Sequence, residues 1–357
     1  MEISVQKTNQ LKSIAILMML FLHLFNRDYY GLFKPLIFIG NQPLSYYISL
    51  FCDACVPIFA FVSGYGLYFK YLQYSSNRKN YLLKNRSRLK NLYINYWIIL
   101  AIFVLLASIL SKSGYPGSMT NLLLNLTALD TSYNSTWWFL TTYIIFVLTS
   151  SIWFSLIDKL NPYLYITMLL FLYLVAFYFK VYAHLVIEST FLEWVGGQVT
   201  LFFYTLFQFM LGAFALKGDW NEKFALFFNS KPYKNLLITV LVILLVILHG
   251  FIPNLIIAPF TAVLFIFLFL QMNLSASINK FFDFFTTHST NIWLIHAFIY
   301  AVFFENFIYS FHYVIIIYLI LLFMCVKISY LINFLNKTIH FSLNYFKNKN
   351  NSSAEKI

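Results

Sequence analysis

The stretch LKSIAILMMLFLHLFN, Leu11 to Asn26, decides the fold class. Apart from Lys12 and His23 it is apolar or small as far as Leu22, the pattern of a helix that enters a bilayer. On a helix turning about 100° per residue, eleven steps return to within about 20° of the starting azimuth. Lys12 and His23 therefore share one stripe with Ile16 and Met19. At about 1.5 Å of rise per residue, the ammonium and the imidazole stand roughly 16 Å apart along it. One polar group is expected at a membrane face and the other deep inside.

An ionisable group inside a bilayer is costly and normally faces a bundle interior or a watery cavity, which makes His23 a functional candidate. Two ordinary explanations compete with that one. A histidine near a span end can lie at headgroup level, and Lys12 can snorkel as a topology anchor.

The rest of the chain repeats the apolar character of this stretch. Of 357 residues, 61% are hydrophobic and only 10% charged, and the mean hydropathy is +0.74. A spanning helix needs about 20 mainly apolar residues, and the runs here are too long and too many for a soluble core. The expectation is an all-α, polytopic membrane helix bundle with no large soluble domain. Ten spans are expected, near 11–26, 44–72, 93–110, 136–157, 163–180, 198–216, 235–251, 254–271, 288–309 and 312–335. Both termini then lie on one side.

The net charge of +12 raises the question of nucleic acid, but the charges fall in alternate loops, so no nucleic-acid partner is expected. If the termini are inside, the inner segments hold all 24 Lys and Arg except Arg27, Lys34, Lys112 and Lys180. The positive-inside rule thus puts both termini in the cytoplasm. Residues 1–337 read as the membrane domain and 338–357 as a polar, Lys/Asn-rich tail, expected to be disordered. Cys52, Cys55 and Cys325 lie in or beside apolar segments and form neither a disulfide framework nor a zinc pattern, so no metal site is expected. No cleavage signal follows the first segment, which is expected to be retained.

The second span contains FCDACVPIFAFVSGYGLYF, Phe51 to Phe69. Pro57 has no amide hydrogen for the Asp53 carbonyl, so a kink is expected where a carboxylate already sits. Asp53 falls in the outer half, broadly level with His23. A carboxylate there either orients a catalytic histidine or satisfies a buried one. Ser63, Gly64, Tyr65 and Gly66 approach the inner face; close helix packing explains the glycines and leaves the serine and tyrosine unexplained.

Between Tyr74 and Asn91 lie Arg78, Lys79, Lys84, Arg86, Arg88 and Lys90. A topology signal, attraction to anionic lipid and a phosphate-bearing ligand all account for them. Arg86 and Arg88 are nearest the third span, where guanidinium forks could reach a cavity mouth. Farther on, NSTWWFL (Asn134–Leu140) sets Trp137 and Trp138 at the membrane as interfacial anchors or as a sugar-stacking surface. His184, Glu188 and Glu193 show no HExxH spacing and read as solvated loop charge. His249 reads as interfacial. THSTNIWLIHAF (Thr287–Phe298) puts Ser289, Asn291 and His296 on an otherwise apolar helix. No internal repeat, Walker loop or GxSxG elbow is present, so enzymatic chemistry would lie within the bundle.

Taken in order, these residues resemble the integral-membrane acyltransferases of the acyltransferase 3 type, which include bacterial O-acetyltransferases of surface polysaccharides. The resemblance runs from Leu11 to Lys337. Lys12 to His23 is similar to the family's basic residue, ten residues, then histidine; VPIFAFVSGY (Val56–Tyr65) to its apolar run ending in SGY; RSRLKNLYINYW (Arg86–Trp97) to its basic stretch before the third span. Trp138, Phe139 and Leu140 match its Trp-Phe-Leu start to a middle span, and Ser289 to His296 its late Ser-to-His element. Lys12 stands where arginine is commoner, which argues against bidentate anion binding at that position. No hydrolase-like domain follows the last span, so no acyl relay through one is expected.

The resemblance implies a cell-membrane enzyme, bacterial by family, with no bound cofactor. Its donor substrate is acetyl-CoA or another acyl-CoA on the cytoplasmic side, and its acceptor is a hydroxyl of a cell-surface polysaccharide or a lipid-linked precursor. His23 would be the general base or a transient acyl carrier, with Asp53 orienting it. Lys12, Arg86, Arg88, Ser63 and Tyr65 would bind the acyl-CoA, and Trp138, Ser289 and His296 would line the acceptor cavity. A glycan transporter or flippase would show internal repeats and several interrupted spans, and a polymerase a large arginine-bearing outer loop. Neither pattern is present.

Overall fold

The computed structural model describes residues 2–183, 189–229 and 231–354. The first apolar stretch is helix α1 (Val5–Phe25), which starts at Ser4, whose side chain accepts a hydrogen bond from the Lys7 amide at 3.2 Å. Asn26 ends it. A two-residue hairpin follows, with β1 (Phe38–Ile39) antiparallel to β2 (Gln42–Pro43) and Ile39 opposite Gln42. Gly40 takes the left-handed conformation its turn requires, at φ +60°.

The second stretch breaks where Pro57 predicts. Helix α2 (Leu44–Cys52) stops at Asp53, and α3 (Cys55–Gln73) resumes two residues later. Asp53 and Ala54 bond back three residues, to the Leu50 and Phe51 carbonyls, both at 3.1 Å. The break presents the Asp53 side chain at the end of α3 rather than along a continuous helix.

The chain then runs through α4 (Arg78–Ile109), α5 (Met119–Leu126), α6 (Trp138–Ile157), α7 (Pro162–Val181) and α8 (Thr190–Lys217). After these come α9 (Trp220–Asn229), α10 (Lys234–Phe251), α11 (Ala258–Gln271), α12 (Ala276–Thr286) and α13 (Ser289–Ala297). A wider π-helical turn (Phe298–Phe303) leads to α14 (Glu305–Tyr309), and α15 (Val314–Ala354) closes the chain. The tail expected to be disordered thus continues α15 as helix to Ala354.

Among the described residues, eight helical stretches are long and apolar enough to cross a membrane: α1, α2 with α3, α4, α6, α7, α8, α10 and α15. The other two expected spans coincide with shorter apolar helices, Leu255–Gln271 and Ser289–Phe303. The chain is therefore a multi-pass, all-α membrane protein. Helices α5, α9 and α12 occupy connections that hydropathy alone marks as loops, while α14 falls within the expected span 288–309.

The centre of the bundle is the crossing of α3 and α8. A Cβ on Gly64 would stand 1.7 Å from the Phe209 carbonyl oxygen, and one on Gly212 would stand 2.0 Å from that of Phe61. Each helix thus meets the other's backbone at a glycine, the close approach that small residues permit in membranes. Helices α1, α6 and α11 pack around α3, and α7 covers α8. Helix α12 is pinned along α1 by Ser13 Oγ, which donates to the Phe282 carbonyl at 2.7 Å, and by Gln10 Nε2, which donates to Asn279 Oδ1 at 2.7 Å.

Candidate active site

A cavity of about 710 Å³ runs through this bundle. Lys12, Met19 and His23 line it from α1, as their shared stripe requires, while Ile16 turns into the core. Helix α3 contributes Ser63 and Gly66, the chain break contributes Asp53, and α4 contributes Arg88. Trp138, Lys180, Tyr204 and Ser289 also line it.

Two expected ligand contacts lie elsewhere, for one reason. Adjacent odd positions on a helix point about 200° apart. Arg86 is exposed on the opposite face of α4 from Arg88, and it does not line the cavity. Tyr65 likewise faces away from Ser63; its hydroxyl accepts a hydrogen bond from the Ile3 amide at 2.8 Å and pins the start of the chain.

At the end of the cavity that holds Lys12 and Arg88, asparagines join three helices. Asn336 Nδ2 donates to Asn95 Oδ1 at 2.9 Å, Asn95 Nδ2 to Asn291 Oδ1 at 2.8 Å, and Asn291 Nδ2 to Asn333 Oδ1 at 2.9 Å. This chain ties α4, α13 and α15 together around the mouth. Such a network stays fixed because every member is bonded.

Farther along, the His23 ring stacks on that of His296, with centroids 4.9 Å apart and planes 18° from parallel. His296 lies fully buried behind His23 rather than on the cavity wall. Its Nδ1 is 2.8 Å from the Trp293 carbonyl oxygen and 3.2 Å from that of Ile292. Both oxygens can only accept, so Nδ1 carries the proton and Nε2 the lone pair. Among the described residues that Nε2 has no hydrogen-bond partner. Tyr300, one π-helical turn on, stacks beside both imidazoles at 6.3 and 6.0 Å. Such turns recur at functional sites because they re-aim the side chains of a helix.

Asp53 does not touch His23. Its Oδ1 accepts from Asn26 Nδ2 at 3.4 Å, which sets the carboxylate about one helical turn beyond the imidazole. The direct orienting contact expected between the two is replaced by the stack with His296. Beyond His23, Arg27 closes the end of α1: its Nη2 donates to the Tyr309 hydroxyl at 2.5 Å, and its Nη1 lies 4.0 Å from Glu305 Oε1.

Both tryptophans depart from the anchor expectation. Trp137 is fully buried and donates its indole N–H to the Leu294 carbonyl at 2.9 Å, while Trp138 faces the cavity. His249 is buried too, with Nδ1 3.1 Å from Thr261 Oγ1. His184 and Glu188 lie outside the described residues. Among those described, no cluster of His, Cys, Asp or Glu could hold a metal ion.

A family model described as an acyltransferase domain, of the acyltransferase 3 type, matches residues 6–334. No curated protein and no solved structure matches the chain.

Proposed function

This chain belongs to the acyltransferase 3 family, and on that premise we propose that it moves an acetyl or other short acyl group from acyl-CoA to a glycan hydroxyl. The acceptor is a cell-surface polysaccharide or its lipid-linked precursor, and the membrane is the bacterial cytoplasmic membrane. The positive-inside asymmetry supports ten spans with cytoplasmic termini, which would open the Lys12 end of the cavity to cytoplasmic acyl-CoA.

The observation that carries this reading is that one cavity joins two cations, Lys12 and Arg88, to an imidazole, His23. The phosphates of CoA suit the cationic end, and the roughly 16 Å from Lys12 to His23 suits an extended pantetheine arm. The thioester would then reach the imidazole with Ser63 on the cavity wall beside its path.

In the transfer step His23 takes the proton of the acceptor hydroxyl as its oxygen attacks the thioester carbonyl. The tetrahedral intermediate collapses with cleavage of the C–S bond, and the CoA thiolate leaves and recovers the proton from the imidazolium. His296 holds the His23 ring by stacking, and its bonds to two carbonyls fix its own tautomer. Trp138, beside Lys180, would border an entering acceptor, whereas Ser289, bonded to Thr286 next to Ser13, lies toward the Lys12 end.

The test is transfer of label from radiolabelled acetyl-CoA to cell-surface glycan in membranes bearing the wild type or His23→Ala. Label with the wild type alone supports a histidine-dependent acyltransferase. Equal label from both, at equal protein levels, would rule out the role given to His23.

A further inference from the structure

The two ends of the cavity differ in charge. Lys12 and Arg88 stand at one end, and among the described residues no carboxylate lines the cavity near them. At the other end Lys180 and Asp53 oppose each other, and among the described residues they are the only charged side chains lining that part.

Lys180 ends α7 and reaches into the cavity between two rings. Its Nζ is 5.0 Å from the Trp138 ring centroid and 5.0 Å from that of Tyr204. Among the described residues the ammonium makes no hydrogen bond and no ion pair; Asp53 attracts it only from a distance. Ring faces hold a cation by their quadrupole without using its hydrogens. The three N–H bonds of Lys180 therefore remain available to a ligand in the cavity.

We infer that Lys180 and Asp53, with Trp138, form an acceptor subsite for a carboxylated sugar: the ammonium takes the carboxylate, Asp53 takes sugar hydroxyls, and the indole borders the ring. This rests on the glycan-acceptor reading above. Charge decides between a carboxylate and a phosphate. The pair is neutral overall, so a monoanion would make the end singly negative, whereas a phosphate dianion would face Asp53 with a single cation to balance it. The doubly cationic end around Lys12 and Arg88 suits phosphate better. Arg27 offers no second cation here, since it is engaged by Tyr309 and Glu305.

The experiment measures binding, so it does not depend on catalysis. Full-length protein in lipid nanodiscs is titrated with methyl glucuronide, methyl galacturonide and N-acetylneuraminic acid, with the neutral methyl glucoside and galactoside, and with glucose 6-phosphate. The wild type is expected to bind at least one carboxylated sugar about tenfold more tightly than the neutral ones, the scale of one hydrogen bond to a charged group. Lys180→Gln should lose that preference and Lys180→Arg retain it. Equal binding of acidic and neutral sugars by the wild type would overturn the subsite, whether or not the variants fold. So would tighter binding of the phosphorylated sugar, or a preference unaltered in Lys180→Gln. Failure of the acyltransferase reading would appear separately, as absent label transfer by the wild type.

Discussion

The imidazole of His296 lies face to face with that of His23 at 4.9 Å, and its Nδ1 is tied to two backbone carbonyls. The second histidine therefore acts on the first by contact and orientation, while only the first meets the cavity. Replacing His296 by Ala is expected to lower kcat about tenfold to a hundredfold and to leave the KM for acyl-CoA near the wild-type value. Steady-state kinetics on purified protein checks this. A rise in KM with unchanged kcat would mean that His296 only supports the cavity wall.

The donor end yields a contrast between near neighbours. Lys12→Ala and Arg88→Ala should each raise the KM for acyl-CoA about tenfold or more, the scale of a lost hydrogen bond between charged groups. Arg86→Ala, on the outward face of the same helix, should leave it unchanged. An effect at Arg86 equal to that at Arg88 would contradict the donor path drawn here.

The α3–α8 crossing admits no side chain. Gly64→Ala and Gly212→Ala each force a methyl group into a facing carbonyl, and overpacking of this kind costs about 1–3 kcal/mol or more. Gly66, with nothing within 4 Å of an added Cβ, should accept alanine without loss of stability. Thermal unfolding of the three variants in detergent separates the two cases, and equal melting temperatures would refute the close contact.

Tyr65 offers a check on its reassignment from ligand contact to structural pin. Tyr65→Phe removes the partner of the Ile3 amide and should cost about 1 kcal/mol of stability. The KM for acyl-CoA should not move. A raised KM without loss of stability would return Tyr65 to the donor site.

Much of this was legible in the sequence where one helix or one covalent constraint decides the outcome. Lys12 and His23 share a stripe by angular arithmetic on a single helix, and Pro57 breaks the second span whatever packs around it. Arg86 and Arg88 were not separable, because α4 begins at Arg78 and extends well before the apolar run that hydropathy detects. Tyr65 and Ser63 divide by the same 200° step, but which face meets the cavity depends on α8. Lys180 looked like an ordinary charge at a span end; only the packing of α7 over α8 brings it between Trp138 and Tyr204. The contact of His23 with His296 joins residues at opposite ends of the chain, and no local pattern encodes it.

The π-helical turn after His296 contains a bond from the Phe304 amide to the Ile299 carbonyl, five residues back, at 3.0 Å. In that turn the chain is one residue longer than an ordinary helix of the same reach. The surplus is a slack link: deleting one residue from Phe298–Phe303 could be absorbed by rewinding to a plain helix, with Glu305 and Tyr309 still meeting Arg27. What would be lost is the position of Tyr300 beside the two imidazoles, so the length of this segment, as much as its composition, is part of the site.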